Sequence, residues 1–224
     1  MAGFINAEPG MKHSIIYTDG AGQYFRYSGG TWAWRNQNPG NIRPGSISKK
    51  HGQIGVVFNF AVFPDRESGH LALLDVLKIT YADSSIDEMM DHFAPPSENN
   101  TARYKKFLHE VTGVKDNRKI NAFTDNEFEK LWQGVEQIEG YKEGNIVQIF
   151  KITHARQEKS GCICDYYVDP AGWIIKEQCI ALAKKSQVEL EVCTSRLGHA
   201  YLKAAPRSSF QTSLKNLVEK KPRG

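Results

Sequence analysis

Residues 124–140 read TDNEFEKLWQGVEQIEG, and the placement of their last glutamate decides how the rest of the chain is read. Thr124 and Glu127 stand at the spacing of a capping box, in which each side chain accepts a bond from the other residue's backbone N–H. Phe128, Leu131, Trp132 and Val135 then recur at i, i+3, i+4 and i+7, the signature of a helix with one apolar stripe. A helix is expected over 125–139, stopped by Gly140. Carried one turn further, the stripe reaches Ile138 and Glu139. Ile138 fits a buried edge; Glu139 puts a carboxyl there, at the negative end of the helix dipole. Burial and the dipole both raise a carboxyl pKa. Two readings stay open: a helix-end glutamate turned out to water, or an acid still protonated near neutral pH, as glycosidic bond cleavage requires.

Three more helices are expected upstream. Residues 66–82 place Leu73, Leu74, Leu77 and Tyr81 on one face. Residues 85–93 open on a second capping box, Ser85 with Glu88, and present Ile86, Met89, Met90 and Phe93 at helical spacing. Residues 100–112 align Tyr104, Phe107, Leu108 and Val111. APPSENN (94–100) separates the last two, and Asn99 or Asn100 can cap the third. Earlier still, Asp19-Gly20 reads as a hairpin turn between Ile15–Tyr17 and Tyr24–Tyr27, and FNFAVFP (58–64) as a short strand ended by its proline.

Past YKEGNI (141–146) the texture changes. NIVQIFKITHA, CICDYYV, VELEVC and HAYLKAA read as strands, GWIIKEQCIALAKKSQ as a helix, and VEKKPRG as a frayed tail. The 224 residues therefore divide into domains over 1–146 and 147–224. Charge divides with them: 16 basic against 18 acidic residues through position 145, and 13 against 7 beyond it. All four cysteines, Cys162, Cys164, Cys179 and Cys193, fall in the second part. Their spacing fits no familiar zinc finger, so reduced thiols are the simpler reading and a zinc site the alternative. No segment approaches the roughly 20 apolar residues of a membrane span, and nothing resembles a secretory signal.

WRNQNPGNIR (Trp34–Arg43) contains three asparagines around a proline and a glycine. Such a stretch makes a turn by its own chemistry. Its amides either bond backbone groups to hold the loop rigid or point outward, where amides and indoles suit sugar hydroxyls, N-acetyl groups and apolar sugar faces. Glu67 and Glu98 are candidate second carboxylates, with Asp65 beside them, but each also fits as a dipole partner at a helix N-terminus. His51 and His70 lack partners at metal-ligand spacing and read as surface residues. A phosphate-binding loop, a G-x-S-x-G elbow and a Cys/His dyad are all missing, which disfavours nucleotide, esterase and cysteine amidase chemistry.

The blocks at 17–45, 60–77, 94–113 and 137–146 together resemble a group of lysozyme-like peptidoglycan hydrolases found in bacterial type VI secretion effectors and phage particles. That resemblance implies an α+β chain: a mainly helical lysozyme-like domain, circularly permuted so that Glu139-Gly140 follows the Asn-Pro-Gly-Asn loop, then a small α+β accessory domain. It implies Glu139 as the catalytic acid, with Arg35, Asn36, Asn38 and Asn41 lining or bracing the sugar cleft. Trp34, Arg43, Tyr104 and Tyr141 join them as substrate-binding candidates. Gln37 and Tyr141 depart from the usual residues of the group. Residues 147–210 resemble a small bacterial domain of no established role.

The expected function is therefore a muramidase without a cofactor, cleaving the β-1,4 bond between N-acetylmuramic acid and N-acetylglucosamine, as hydrolase or lytic transglycosylase. The resemblance further implies an antibacterial toxin made in a bacterial cytoplasm without a signal peptide and exported to a target periplasm. Its partners would be peptidoglycan, a cognate immunity protein and secretion-machine components, with neither nucleic acid nor membrane insertion. A non-catalytic glycan-binding module and a structural part of a phage or secretion particle are the rival classes.

Overall fold

The computed structural model describes residues 3–97, 100–206 and 208–219. In chain order the elements are β1 (Phe4–Pro9), β2 (Ile15–Asp19), β3 (Tyr24–Ser28), α1 (Trp32–Arg35), α2 (Ser46–Lys50), β4 (Gly55–Val57), β5 (Phe60–Val62) and α3 (Arg66–Asp75). They continue with α4 (Ile86–Phe93), α5 (Thr101–Thr112), α6 (Asp125–Glu139), β6 (Asn145–Ile149), β7 (Lys151–Gln157), β8 (Ile163–Asp169) and β9 (Gly172–Ile175). The chain closes with α7 (Lys176–Lys184), β10 (Leu190–Thr194) and β11 (Ala200–Ala204).

The expectation of a mainly helical, lysozyme-like domain is corrected. The chain is α+β, 36% helix and 27% strand, with its strands in four small antiparallel sheets. What the helix count underweighted is the first thirty residues. β2 and β3 form the expected hairpin, with Asp19 Oδ1 accepting from the backbone N–H of Ala21 and Gln23 to close the turn. Two further strands extend it into the sheet β1-β2-β3-β6. β1, FINAEP, has little apolar alternation to announce it, and β6 pairs with β3 across more than a hundred residues.

That long-range pairing also decides the division of the chain. Two compact units form: residues 30–143, and residues 1–29 together with 144–224. The cut expected near residue 146 has a counterpart near residue 29 that local texture does not reveal.

In the unit of residues 30–143, α3 to α6 surround a core of Phe63, Leu73, Leu77, Met89, Met90, Leu108 and Leu131, with β4 and β5 as a two-stranded ribbon. Each such side chain contributes about 1.5–3 kcal/mol on full burial. Both expected capping boxes form: Ser85 with Glu88 at α4, and Thr124 with Glu127 at α6. Asn100 caps α5, its side chain accepting from the Arg103 N–H. The helix expected over 66–82 stops at Asp75 and gives way to a π-helical turn over Val76–Thr80. β-branched Val76, Ile79 and Thr80 are poor α-helix material, and wide turns of this kind occur often at functional sites.

In the other unit, α7 packs on the sheet β7-β8-β9 around Tyr166, Val168, Cys179 and Val188. GWII, expected as the start of a helix, is β9 instead; Ile174 and Ile175 pair across to β8. Val218 bridges to Ala155, so the tail is anchored there, and residues 220–224 lie outside the described residues. Arg26 and Glu189 make a fully buried ion pair, 2.6 Å between Nη2 and Oε1. Arg26 also donates to the carbonyls of Ser186 and Val188, and the Met11 N–H donates to the second Glu189 oxygen at 2.7 Å. No helix among the described residues is long and apolar enough to cross a membrane.

Candidate functional site

The Asn-rich stretch spends most of its amides on itself. Asn38 is fully buried: its Nδ2 donates to the carbonyls of Ile42 and Ala61, and its Oδ1 accepts from the Ile42 N–H, each at 2.9 Å. Asn36 is also buried and donates to the Trp32 carbonyl at 2.9 Å. Arg35 donates to the Gly30 carbonyl and lies 4.2 Å over the Trp32 ring, where burial lowers its pKa. Trp34 is buried too. Arg35, Asn36 and Asn38 brace the loop, and neither they nor Trp34 line the cleft that Asn41 reaches.

The loop is locked against α3 at a position only glycine allows. A Cβ on Gly69 would lie 2.1 Å from the Gln37 carbonyl oxygen, so the helix backbone touches the turn directly. Gln37 and Asn41 both adopt positive φ, 52° and 45°, which the turn demands and asparagine tolerates. Thus fixed, Asn41 donates from Nδ2 to Glu139 Oε2 at 2.6 Å.

Glu139 is the last residue of α6, and Gly140 turns the chain at φ 67°, ψ 146°, backbone that residues with a Cβ avoid. The segment is braced on both sides of the glutamate. One turn earlier, Glu136 accepts from Arg66 Nη2 at 2.6 Å and pairs with His70 Nδ1 at 2.8 Å. Two residues later, Tyr141 donates its hydroxyl to Gln37 Oε1 at 3.0 Å, and the Arg66 guanidinium lies 5.0 Å over its ring. His70 is therefore a half-buried partner of a carboxylate, not the surface residue its spacing suggested. His51 is likewise paired, 2.7 Å from Asp75.

Glu139 and Asn41 open onto a cleft of about 450 Å³. Phe60, Tyr81 and Phe93 supply apolar surface, Thr80 and Ser46 hydroxyls, and Arg43 and His92 the remaining ionisable nitrogen groups. Burial pushes the Glu139 pKa up, and the Asn41 bond, which favours the carboxylate, offsets only part of it. Asn41 Oδ1 is buried without a partner. An amide can turn over, so Asn41 can donate to the ionised carboxylate in one orientation and accept from the protonated acid in the other. The pair suits a group that gives up a proton and recovers it.

Of the expected residues, Glu139, Asn41 and Arg43 meet in the cleft. Tyr104 packs against the helical core, and Tyr141 braces the loop. Glu67 and Asp65 are exposed at the start of α3, where the Asp65 carboxylate accepts from the Ser68 N–H; neither lines the cleft. Glu98 lies outside the described residues. Sequence reasoning missed Thr80, Tyr81, His92 and Phe93; Tyr81 and Phe93 were visible only as stripe residues of their helices. The four cysteines are free thiols, Cys179 buried with its pKa pushed up to about 12. Among the described residues no group of three or more His, Cys, Asp or Glu could hold a metal ion. Compared with known proteins, the chain matches no family model and no curated protein.

Proposed function

We propose that this chain cleaves the glycan strand of peptidoglycan at the β-1,4 bond between N-acetylmuramic acid and N-acetylglucosamine, with Glu139 as proton donor. The observation that carries the reading is a carboxyl held toward its protonated form by burial, bonded to an amide, at the wall of a cleft lined with aromatic and hydroxyl groups. A general acid poised in this way contributes about 10²–10⁴-fold to such a cleavage. The choice of polymer rests on the four sequence blocks that resemble peptidoglycan hydrolases. Delivery into a target periplasm as an antibacterial effector belongs to the same proposal. Toxicity behind a periplasmic signal, but not in the cytosol, is its expected signature.

A second outcome of the same chemistry is favoured by one feature. Glu139 is the only carboxylate among the described residues that line the cleft. Where no second carboxylate activates water, the muramic acid 6-hydroxyl attacks the anomeric carbon. Glu139 protonates the departing oxygen and then receives the hydroxyl proton, leaving a 1,6-anhydro end. Digestion of purified sacculi, with products read by mass spectrometry, tests both. Wild type releases disaccharide-peptides and Glu139→Gln releases none; reducing ends mark hydrolysis and anhydro ends transglycosylation. An inert wild type removes the enzyme reading.

A further inference from the structure

We infer that the cleft continues past Phe60 into a further sugar-binding surface, made by Trp32 and by Phe58 at the tip of the β4–β5 ribbon, which takes a pyranose ring of the strand beyond those at Glu139. The inference rests on the reading of the cleft as a glycan site. Phe60 lines the cleft. The Trp32 ring lies 6.3 Å from the Phe60 ring, and the Phe58 ring 5.0 Å from Trp32 at an interplanar angle of 64°. The three rings thus form one row that starts at the cleft wall. Arg35 steadies the middle of the row: its guanidinium lies 4.2 Å from the centre of the Trp32 ring and donates to the Gly30 carbonyl. Trp32 and Phe60 are half-buried and Phe58 is 38% exposed, so the row ends in aromatic surface open to solvent.

The backbone at the ribbon tip is a second, independent observation. Val57 pairs with Phe60, which leaves Phe58 and Asn59 as a two-residue turn, and both take positive φ, 51° and 69°. Turns of this kind call for asparagine, aspartate or glycine. Asn59 complies and Phe58 does not. A bulky side chain in left-handed backbone is an outlier, and strain of this kind gathers at ligand-binding sites. For the turn alone, a small polar residue is the more stable choice. What phenylalanine adds at that position is a flat apolar face, the surface on which a pyranose ring stacks. A glycan strand leaving the cleft over Phe60 meets Trp32 and Phe58 next. The surface therefore discriminates by length: a short oligomer fills the cleft, and a longer one reaches the ribbon tip.

The test uses the full chain carrying Glu139→Gln, which binds without turning over. Its affinity is measured by calorimetry for peptide-free peptidoglycan strands, a disaccharide and an octasaccharide. The longer strand is expected to bind about tenfold or more tightly. Adding Phe58→Asn removes most of that advantage and leaves the disaccharide affinity in place. It also holds or raises the melting temperature, because asparagine tolerates the turn. Phe58→Trp, which keeps an aromatic face, keeps the advantage. Equal affinity for the two lengths, an advantage that survives Phe58→Asn, a loss shared by both lengths, a lower melting temperature, or no binding to either strand would each overturn the inference. The two proposals fail separately. A wild type that releases nothing from sacculi, with a trap whose length preference follows Phe58, ends the enzyme reading alone. A wild type that cleaves sacculi, with a length preference indifferent to Phe58, ends this one alone.

Discussion

Two glutamates, one in each compact unit, show two ways of burying a carboxyl. Glu189 is fully enclosed, and the protein answers its charge with the Arg26 guanidinium and the Met11 N–H. Both oxygens have charged or backbone donors, so the group is fixed. Glu139 sits at a cleft wall with one amide donor to one oxygen, and its pKa rises because lost hydration outweighs that single bond. A complete set of partners gives a structural element; an incomplete set, beside space for a ligand, gives a group able to exchange a proton.

The largest expected effect breaks the cleft side of this comparison. Glu139→Gln lowers glycan cleavage by about 10³-fold with little change in substrate affinity, measured as kcat against KM on soluble strands. On the other side, Glu189→Gln strips Arg26 of its counter-charge and destabilises its unit by about 3–5 kcal/mol in denaturant unfolding, leaving an uncompensated buried cation. Asn38→Ala removes three hydrogen bonds to buried backbone groups around the loop and costs about 3 kcal/mol of stability. Gly69→Ala forces the loop away from α3 at a cost of about 1–3 kcal/mol, with a further loss of activity because Asn41 moves with the turn.

The smallest effect is a matter of sign. A carboxyl whose folded pKa is raised destabilises the fold once pH exceeds its unfolded value near 4.3. Glu139→Gln is therefore expected to stabilise the chain at pH 7–8, and the gain should vanish well below pH 4, where both states of the wild type are protonated. A gain that persists there would show that the substitution acts through packing instead.

The elements that local chemistry specifies were legible. Thr124 and Glu127 announced the start of α6, the apolar stripe its buried face, and Gly140 its end. From these came Glu139 at the buried edge. The sheet β1-β2-β3-β6 was not legible, because β6 reaches β3 through a register that no local pattern encodes. The same limit hid the cleft. Tyr81, His92 and Phe93 look like ordinary helix residues until the π-helical turn at 76–80 and the end of α4 are placed in space. The Asn-rich loop was legible as a turn but ambiguous in purpose: three of its polar side chains, Arg35, Asn36 and Asn38, brace it, while Asn41 and Arg43 reach the cleft.

Burial lifts the pKa of the Glu139 carboxyl above that of an ordinary glutamate, and the Asn41 bond offsets only part of the rise. Carbon-detected NMR titration of the Glu139 side-chain carboxyl, in wild type and in Asn41→Ala, tests this most directly. The midpoint is expected above that of an ordinary glutamate, and higher still when the Asn41 donor is removed. A midpoint at or below the ordinary value, or one that falls on losing Asn41, would contradict it.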